Sequence, residues 1–119
     1  MPYVDGFVVV VPKKNVKRYV AIAKKCSRIF REHGAVEFRE CLGEDLDAGM
    51  GVPFKKLTKA KAGETVFFSF ITYKSRAQRD RVNAKIMKDP RMLAICGPDD
   101  MPFDMGKMAY GGFEVVVRA

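Results

Sequence analysis

Histidine is the scarcest of the chemically versatile residues in this chain: His33 is the only one in 119 residues. A histidine-based metal centre, or a Ser–His or Cys–His catalytic pair, could draw on that residue alone. No serine or cysteine is visibly arranged with it, and its place at the end of a helical segment suits the helix dipole better than catalysis. The three cysteines, Cys26, Cys41 and Cys96, are odd in number and widely spaced, with no C-x-x-C pair. That pattern fits reduced thiols in a cytosol rather than a disulfide framework. Also missing are a charged leader followed by an apolar run and any stretch of membrane-spanning length, so a cytoplasmic chain without membrane contact is expected. Two ligand motifs are absent as well. The acidic cluster Glu44, Asp45, Asp47 lacks the calcium-loop spacing, and Gly49-Met50-Gly51 is not followed by the Gly-Lys-Ser/Thr of a phosphate loop. No metal and no cofactor are expected on these grounds.

Acidic residues are outnumbered, 14 Asp and Glu against 22 Lys and Arg, for a net charge of +8. Nucleic acid, acidic ligands and anionic surfaces therefore enter as candidate partners, without charge alone choosing among them. At 119 residues and 48% hydrophobic composition, one domain spanning 1–119 with one core is expected.

What is present reads as alternating strands and helices. Residues 3–11 form a strand with Tyr3, Asp5, Phe7, Val9 and Val11 on one face and Val4, Gly6, Val8 and Val10 on the other, apolar on both sides except for Asp5. A helix follows over about 14–33, its inner face marked by Val16, Tyr19, Val20, Ala23, Cys26, Ser27 and Phe30, with Gly34 ending it. Its outer face is a basic stripe. Residues 35–42 alternate cleanly as an edge-like strand, in which Glu40 falls on the apolar side with Val36, Phe38 and Leu42. A long connection over 43–63 leads to a central strand at 64–73, apolar on both faces. Ser75 to Gln78 supply a capping box for a second helix, which runs to Asp89-Pro90. A short turn-rich or helical piece at Met92–Cys96, a methionine-rich loop over 97–108 and a strand at 110–117 complete the chain. The first and last strands share a G-F-x-V-V-V pattern, read as similar packing environments.

The order β-α-β-β-α-β is the split βαβ arrangement, an α+β fold in which right-handed crossovers put both helices on one face of a four-stranded antiparallel sheet. The other face then also needs cover, because the first and third strands carry large apolar side chains on both sides. One solution is a second copy of the chain packed through the open sheet face. Another is base stacking on exposed aromatics, but residues 64–71, Glu-Thr-Val-Phe-Phe-Ser-Phe-Ile, lack the basic-glycine start of an RNA-recognition strand. The homodimer is the reading adopted.

The segments Tyr3-Val4-Asp5-Gly6-Phe7, Lys88-Asp89-Pro90-Arg91-Met92, Met101-Pro102-Phe103-Asp104 and Tyr110-Gly111-Gly112-Phe113 resemble, in that order and along essentially the whole chain, the uncharacterised bacterial YbaA-like family, a group of unknown function. The resemblance implies a ferredoxin-like, dimeric α/β-barrel fold. Related dimeric α/β-barrel families include cofactor-independent monooxygenases, haem-degrading enzymes and small-molecule binders, which use the cleft between sheet and helices. No catalytic residues carry over, and the position usually held by tryptophan in the third strand is Phe70 here.

Two functions from different classes follow. In the first, each subunit holds a small-molecule pocket, enzymatic in the monooxygenase manner by fold analogy. Asp5 and Glu40 are then its acid and base groups, Tyr73, Tyr110 and Asp104 its orienting groups, and 101–108 its lid. Each has an ordinary alternative role, since tyrosines at strand ends are usually core or interface and methionines fill gaps. In the second, nucleic acid lies on the basic helix faces, carried by Lys17, Lys24, Arg28 and Arg31 with Arg76, Arg79 and Lys85, residues that otherwise make an ordinary solvated surface.

Overall fold

A computed structural model describes residues 1–95 and 101–119. Its first strand, β1 (Tyr3–Pro12), lies inside a four-stranded sheet with β2 (Glu37–Leu42), β3 (Glu64–Tyr73) and β4 (Ala109–Glu114), in the order β2-β3-β1-β4. Every neighbour is antiparallel. β1 pairs with β3 along its whole length, from Tyr3 opposite Tyr73 to Pro12 opposite Glu64, and with β4 from Tyr3 opposite Glu114 to Val8 opposite Ala109. A valine-rich strand suits this central position because branched side chains pack well on a pleated surface enclosed from both edges.

Helices α1 (Val16–Glu32) and α3 (Arg76–Lys88) pack on one face of the sheet, joined by the short α4 (Pro90–Ile95). This is the expected ferredoxin-like arrangement. Ser75 caps α3 by accepting a hydrogen bond from Gln78 N at 3.1 Å, while Gln78 Oε1 accepts from Lys74 N at 2.6 Å. The capping box therefore closes one residue earlier than its usual partner, the N–H of the cap itself. After α1 the chain turns at Gly34, whose φ of +115° suits glycine.

Two apolar clusters lie beneath the helices. Ile29, Ile71, Tyr73, Val82 and Ile86 form one, and Val9, Val11, Tyr19 and Phe67 the other, with Phe7 touching both. Among the described residues no helix is long and apolar enough to cross a membrane.

The structure departs from the sequence expectations at several points. The 43–63 connection contains a helix, α2 (Phe54–Thr58), and Phe54 packs near Phe68 on the open face of the sheet, with ring centroids 6.3 Å apart. β4 stops at Glu114, not Val117, because its register with β1 leaves only Pro2 to accept one further bond, from Val115 N at 3.1 Å. β2 starts at Glu37 rather than Ala35, since Ala35 N still bonds to Phe30 O in the turn after α1. Of the two readings of the piece at 92–96, turn-rich or helical, the helical one holds over its described part, as α4, which starts earlier, at Pro90; Cys96 and residues 97–100 lie outside the described residues. The Gly-Phe echo places β1 and β4 side by side, yet the two phenylalanines do not pack alike. Phe7 faces the helices, whereas Phe113 lies on the open face with its ring 3.2 Å from where a Cβ on Gly6 would stand.

A polar junction fastens the end of α1 to the start of α4. His33 Nε2 lies 2.7 Å from Asp89 Oδ2, Asp89 accepts from Arg91 N, Nε and Nη2, and Arg91 Nη1 pairs with Glu32 at 2.7 Å. Hydrogen bonds from Arg91 and His33 hold the Asp89 carboxyl far below the usual carboxylate range. The unfolded chain protonates this group near pH 4, whereas the folded chain keeps it ionised to much lower pH. Its stabilising contribution is therefore complete above about pH 4 and drains away as the pH falls below that value. Urea midpoints measured from pH 6 to pH 2 are expected to fall less steeply in Asp89→Asn than in the wild type, with the variant weaker at pH 6. Parallel acid limbs for the two proteins would contradict this role.

Candidate functional site

The sheet register decides which polar side chains can meet. On the helix-facing side one transverse row reads Glu40, Ser69, Phe7, Tyr110 from β2 to β4, and the next reads Phe38, Ile71, Asp5, Gly112. Asp5 and Glu40 share a face. They stand on strands either side of β3, about 10 Å apart at ~4.8 Å per strand step, and each gathers its own partners.

Glu40 is half-buried beneath α1. Tyr19 Oη donates to its Oε1 at 2.7 Å, and Ser69 Oγ donates to the same oxygen. Burial raises the Glu40 carboxyl above its ordinary range, and the hydrogen bonds from Ser69 and Tyr19 offset only part of that rise. Burial and the adjacent Glu40 push the Tyr19 phenol well above its own range, so Tyr19 remains a donor. These three groups form the polar end of a cavity of ≈170 Å³ between α1 and the sheet. Tyr19, Ile22, Cys26 and Phe30 approach from the helix, at spacings of three or four residues that put them on one face. Phe7, Val9, Phe38 and Ile71 form the floor, and Met101, Phe103 and Met108 border a further side of the cavity, which stays partly open to solvent. The closing segment is tied down by Asn15 Nδ2 donating to Pro102 O at 3.1 Å, and by the edge of Phe103 against Tyr19, centroids 5.7 Å apart. Glu40 also borders a surface groove between α1 and β2, with Val20, Lys24, Ser27 and Leu42.

Asp5 belongs to a second cluster, where β1, β3 and β4 meet α3. It is 1% exposed, with Arg79 Nη1 3.3 Å from its Oδ1. Arg79 donates to Tyr110 Oη at 3.0 Å and Tyr3 Oη at 3.2 Å, and its guanidinium lies 4.9 Å from the centre of the Tyr3 ring. Burial raises the Asp5 carboxyl, while Arg79 and then the hydrogen-bonding groups of Tyr110 and Asn83 pull it back. Burial and the charge of Asp5 likewise push the Tyr73 phenol upward. Among the described residues, Asp5 Oδ1, Tyr73 Oη and Arg79 Nε have no well-formed hydrogen bond. The cluster is an ion pair wrapped in tyrosines, packed into the sheet end beyond Phe7, whose ring lies 4.9 Å from that of Tyr110.

The five residues singled out from sequence thus divide. Asp5, Tyr73 and Tyr110 come together; Glu40 stands apart in the cavity. Asp104 joins neither, being an exposed cap that accepts from Gly106 N at 2.8 Å. Of the basic set, Lys17, Lys24, Arg28, Arg31, Arg76 and Lys85 are exposed on α1 and α3. Arg79 is the correction: its side chain is only 14% exposed, drawn inward by Asp5 and the face of Tyr3. Tyr19 and Ser69 are site residues that the sequence pattern did not single out. Both carried a signal: a tyrosine on a buried helix face needs a partner for its hydroxyl, and Ser69 interrupts the apolar series Phe67, Ile71, Tyr73. Among the described residues no three His, Cys, Asp or Glu side chains come together as a metal site.

Removing one partner of a buried ion pair leaves the other charge uncompensated, at a cost of about 3–5 kcal/mol, whereas replacing both with apolar groups is often neutral. Arg79→Met is therefore expected to lose stability on that scale, and Asp5→Leu/Arg79→Met to recover much of it, as read from urea midpoints at one protein concentration. A double variant weaker than the single one would show that the pair is not the determinant.

With the geometry in place, comparison with known proteins gives the following. Residues 2–105 match the family described as "Protein of unknown function (DUF1428)". The chain is 43% identical over 117 residues to the uncharacterized protein YbaA of Escherichia coli K12, covering 98% of each chain, and equally so to YbaA of Shigella flexneri. Among solved structures it is similar to a dimeric ferredoxin-like protein from an uncultured marine organism, with a TM-score of 0.61, 12% identity and full coverage of both chains. It is similar also to Rv0793 of Mycobacterium tuberculosis, with a TM-score of 0.59 and 15% identity over 100% of this chain and 99% of the other. The two structures support the ferredoxin-like fold, and the match over most of its length places this chain in the DUF1428 family, together with the YbaA proteins.

Proposed function

We propose that the chain forms a homodimer through its open sheet face, and that each subunit binds one small, largely apolar molecule in the cavity under α1, where Glu40 meets it. The observation that carries this reading is the cavity itself. The cavity opens partly to solvent, and its inner volume is close to that of an apolar cavity of about 150 Å³ in another protein's core that takes up benzene. A void of ≈170 Å³ with a single carboxyl, held by two hydroxyls at one end, has the composition of a ligand site: an apolar body with a few convergent polar groups. The chemistry available there is proton transfer. A carboxylate whose proton affinity is raised by burial is a stronger base than one in water, and Tyr19 keeps its proton and orients it. Met101, Phe103 and Met108 supply an adaptable wall over the occupant.

The dimer reading rests on Phe68, Phe113, Val4, Val8 and Phe70 on the open face, where Phe68 is 48% and Phe113 61% exposed. Covering each such side chain is worth about 1.5–3 kcal/mol, and α2 reaches only the Phe68 end. The solved relative described as dimeric has the same fold. Nucleic acid on the helix faces is less favoured, because Arg79 is withdrawn into the Asp5 cluster.

Two outcomes test this. Phe68→Glu should convert the dimer to a monomer in sedimentation equilibrium; a wild-type monomer, or a variant that stays dimeric, contradicts the interface. Toluene should raise the melting temperature of the wild type but not of Ile22→Phe, whose larger side chain fills the cavity. Equal responses would place the toluene elsewhere.

A further inference from the structure

The hydroxyl protons around Glu40 define what an occupant must offer. Tyr19 Oη and Ser69 Oγ both donate to the same oxygen, Oε1. Each hydroxyl has one proton to give, so neither has one left for a ligand. What the unit has left to offer an occupant is acceptor capacity: the second carboxylate oxygen and the hydroxyl lone pairs. Resting on the ligand-binding reading above, we propose that the cavity selects small phenols, with the ring among the aromatic side chains and the hydroxyl donating to the Glu40 carboxylate.

The ring is favoured by size and by surroundings. Phe7, Phe30, Phe38 and Phe103 border the cavity, and Phe30 and Phe38 stand with centroids 5.5 Å apart, offering the tilted faces that aromatic side chains prefer to pack against. A volume near that of a benzene-binding cavity limits the occupant to about one ring. The donor must also be neutral. A carboxylate would bring a second negative charge beside Glu40, and Arg39, which also borders the cavity, is already paired with Glu37 at 2.7 Å. An ammonium would lose its hydration shell on entering a largely apolar space, a cost that pairing with one carboxylate need not recover. A phenol presents one donor to one acceptor, and a hydrogen bond to a charged group contributes about 1.5–3 kcal/mol, which is roughly tenfold or more in affinity. Burial raises the proton affinity of Glu40, so the preference for a donor should be complete at alkaline pH and shrink as acid protonates the carboxyl.

The test compares toluene, phenol and benzoate by calorimetric titration of the wild-type protein at pH 8. Phenol is expected to bind at least tenfold more tightly than toluene, with benzoate weaker than both, and the margin of phenol over toluene should narrow as the pH is lowered toward 5. In Glu40→Gln the amide oxygen takes over acceptance from Tyr19 and Ser69, turning its NH₂ toward the ligand. That margin should then fall severalfold while toluene still binds, which also reports that the variant keeps its cavity. If toluene binds but phenol is no better, or benzoate matches phenol, the phenol assignment is wrong and the apolar cavity reading stands. If none of the three binds, the cavity reading itself fails and this inference falls with it. The three-ligand comparison uses the wild type, so its outcome does not depend on how well the variant folds.

Discussion

A central strand with large apolar side chains on both faces has to be covered twice, and the rest of this structure depends on how that is done. β1 is paired with β3 along its whole length and with β4 from Tyr3 to Val8, which leaves its two faces to be covered. α1 and α3 cover one. On the other face, α2 reaches the Phe68 end through Phe54 and leaves Phe113 exposed. The same strand therefore creates a filled side, where a ligand cavity can form, and an apolar open side suited to a second subunit. The two proposals for this chain, an occupied cavity and a dimer, answer to the two faces of one strand.

On the filled side, two carboxylates stand among apolar neighbours, and each is stabilised differently. Asp5 is held against a cation and surrounded by tyrosine hydroxyls, in a packed cluster. Among the described residues Glu40 has only neutral donors, Tyr19 and Ser69, and it lies against open space. A carboxyl supported by neutral hydroxyls and raised by burial remains available as a base, whereas one locked to an arginine is better suited to fixing structure. The chemical interest of the site accordingly moves from Asp5, the more conspicuous residue in the sequence, to Glu40.

Much of the fold was legible because alternation and helical periodicity are local. Strands, helices, the Ser75 cap and the uncovered face follow from residues a few positions apart. The two acidic residues out of pattern were also visible, since Asp5 and Glu40 each break an apolar series. Whether they meet was not visible. That depends on a register across β3 which sets Glu40 opposite Ser69 and Asp5 opposite Ile71. Arg79 shows the same limit: on a helical wheel it belongs with Arg76 and Lys85, and only Asp5 and Tyr3, more than seventy residues earlier, draw it inside. α2 was missed because a five-residue helix has too few positions to show a period, and its apolar contact, Phe68, lies on another element.

The central claim is that the Glu40 carboxyl borders a ligand-sized apolar space. Titration of the Glu40 carboxyl carbon by ¹³C NMR, with and without toluene, tests it most directly. The account predicts a midpoint above the ordinary glutamate range that rises further when toluene fills the cavity and strips water from the carboxylate. A midpoint in the ordinary range, unmoved by toluene, would contradict it.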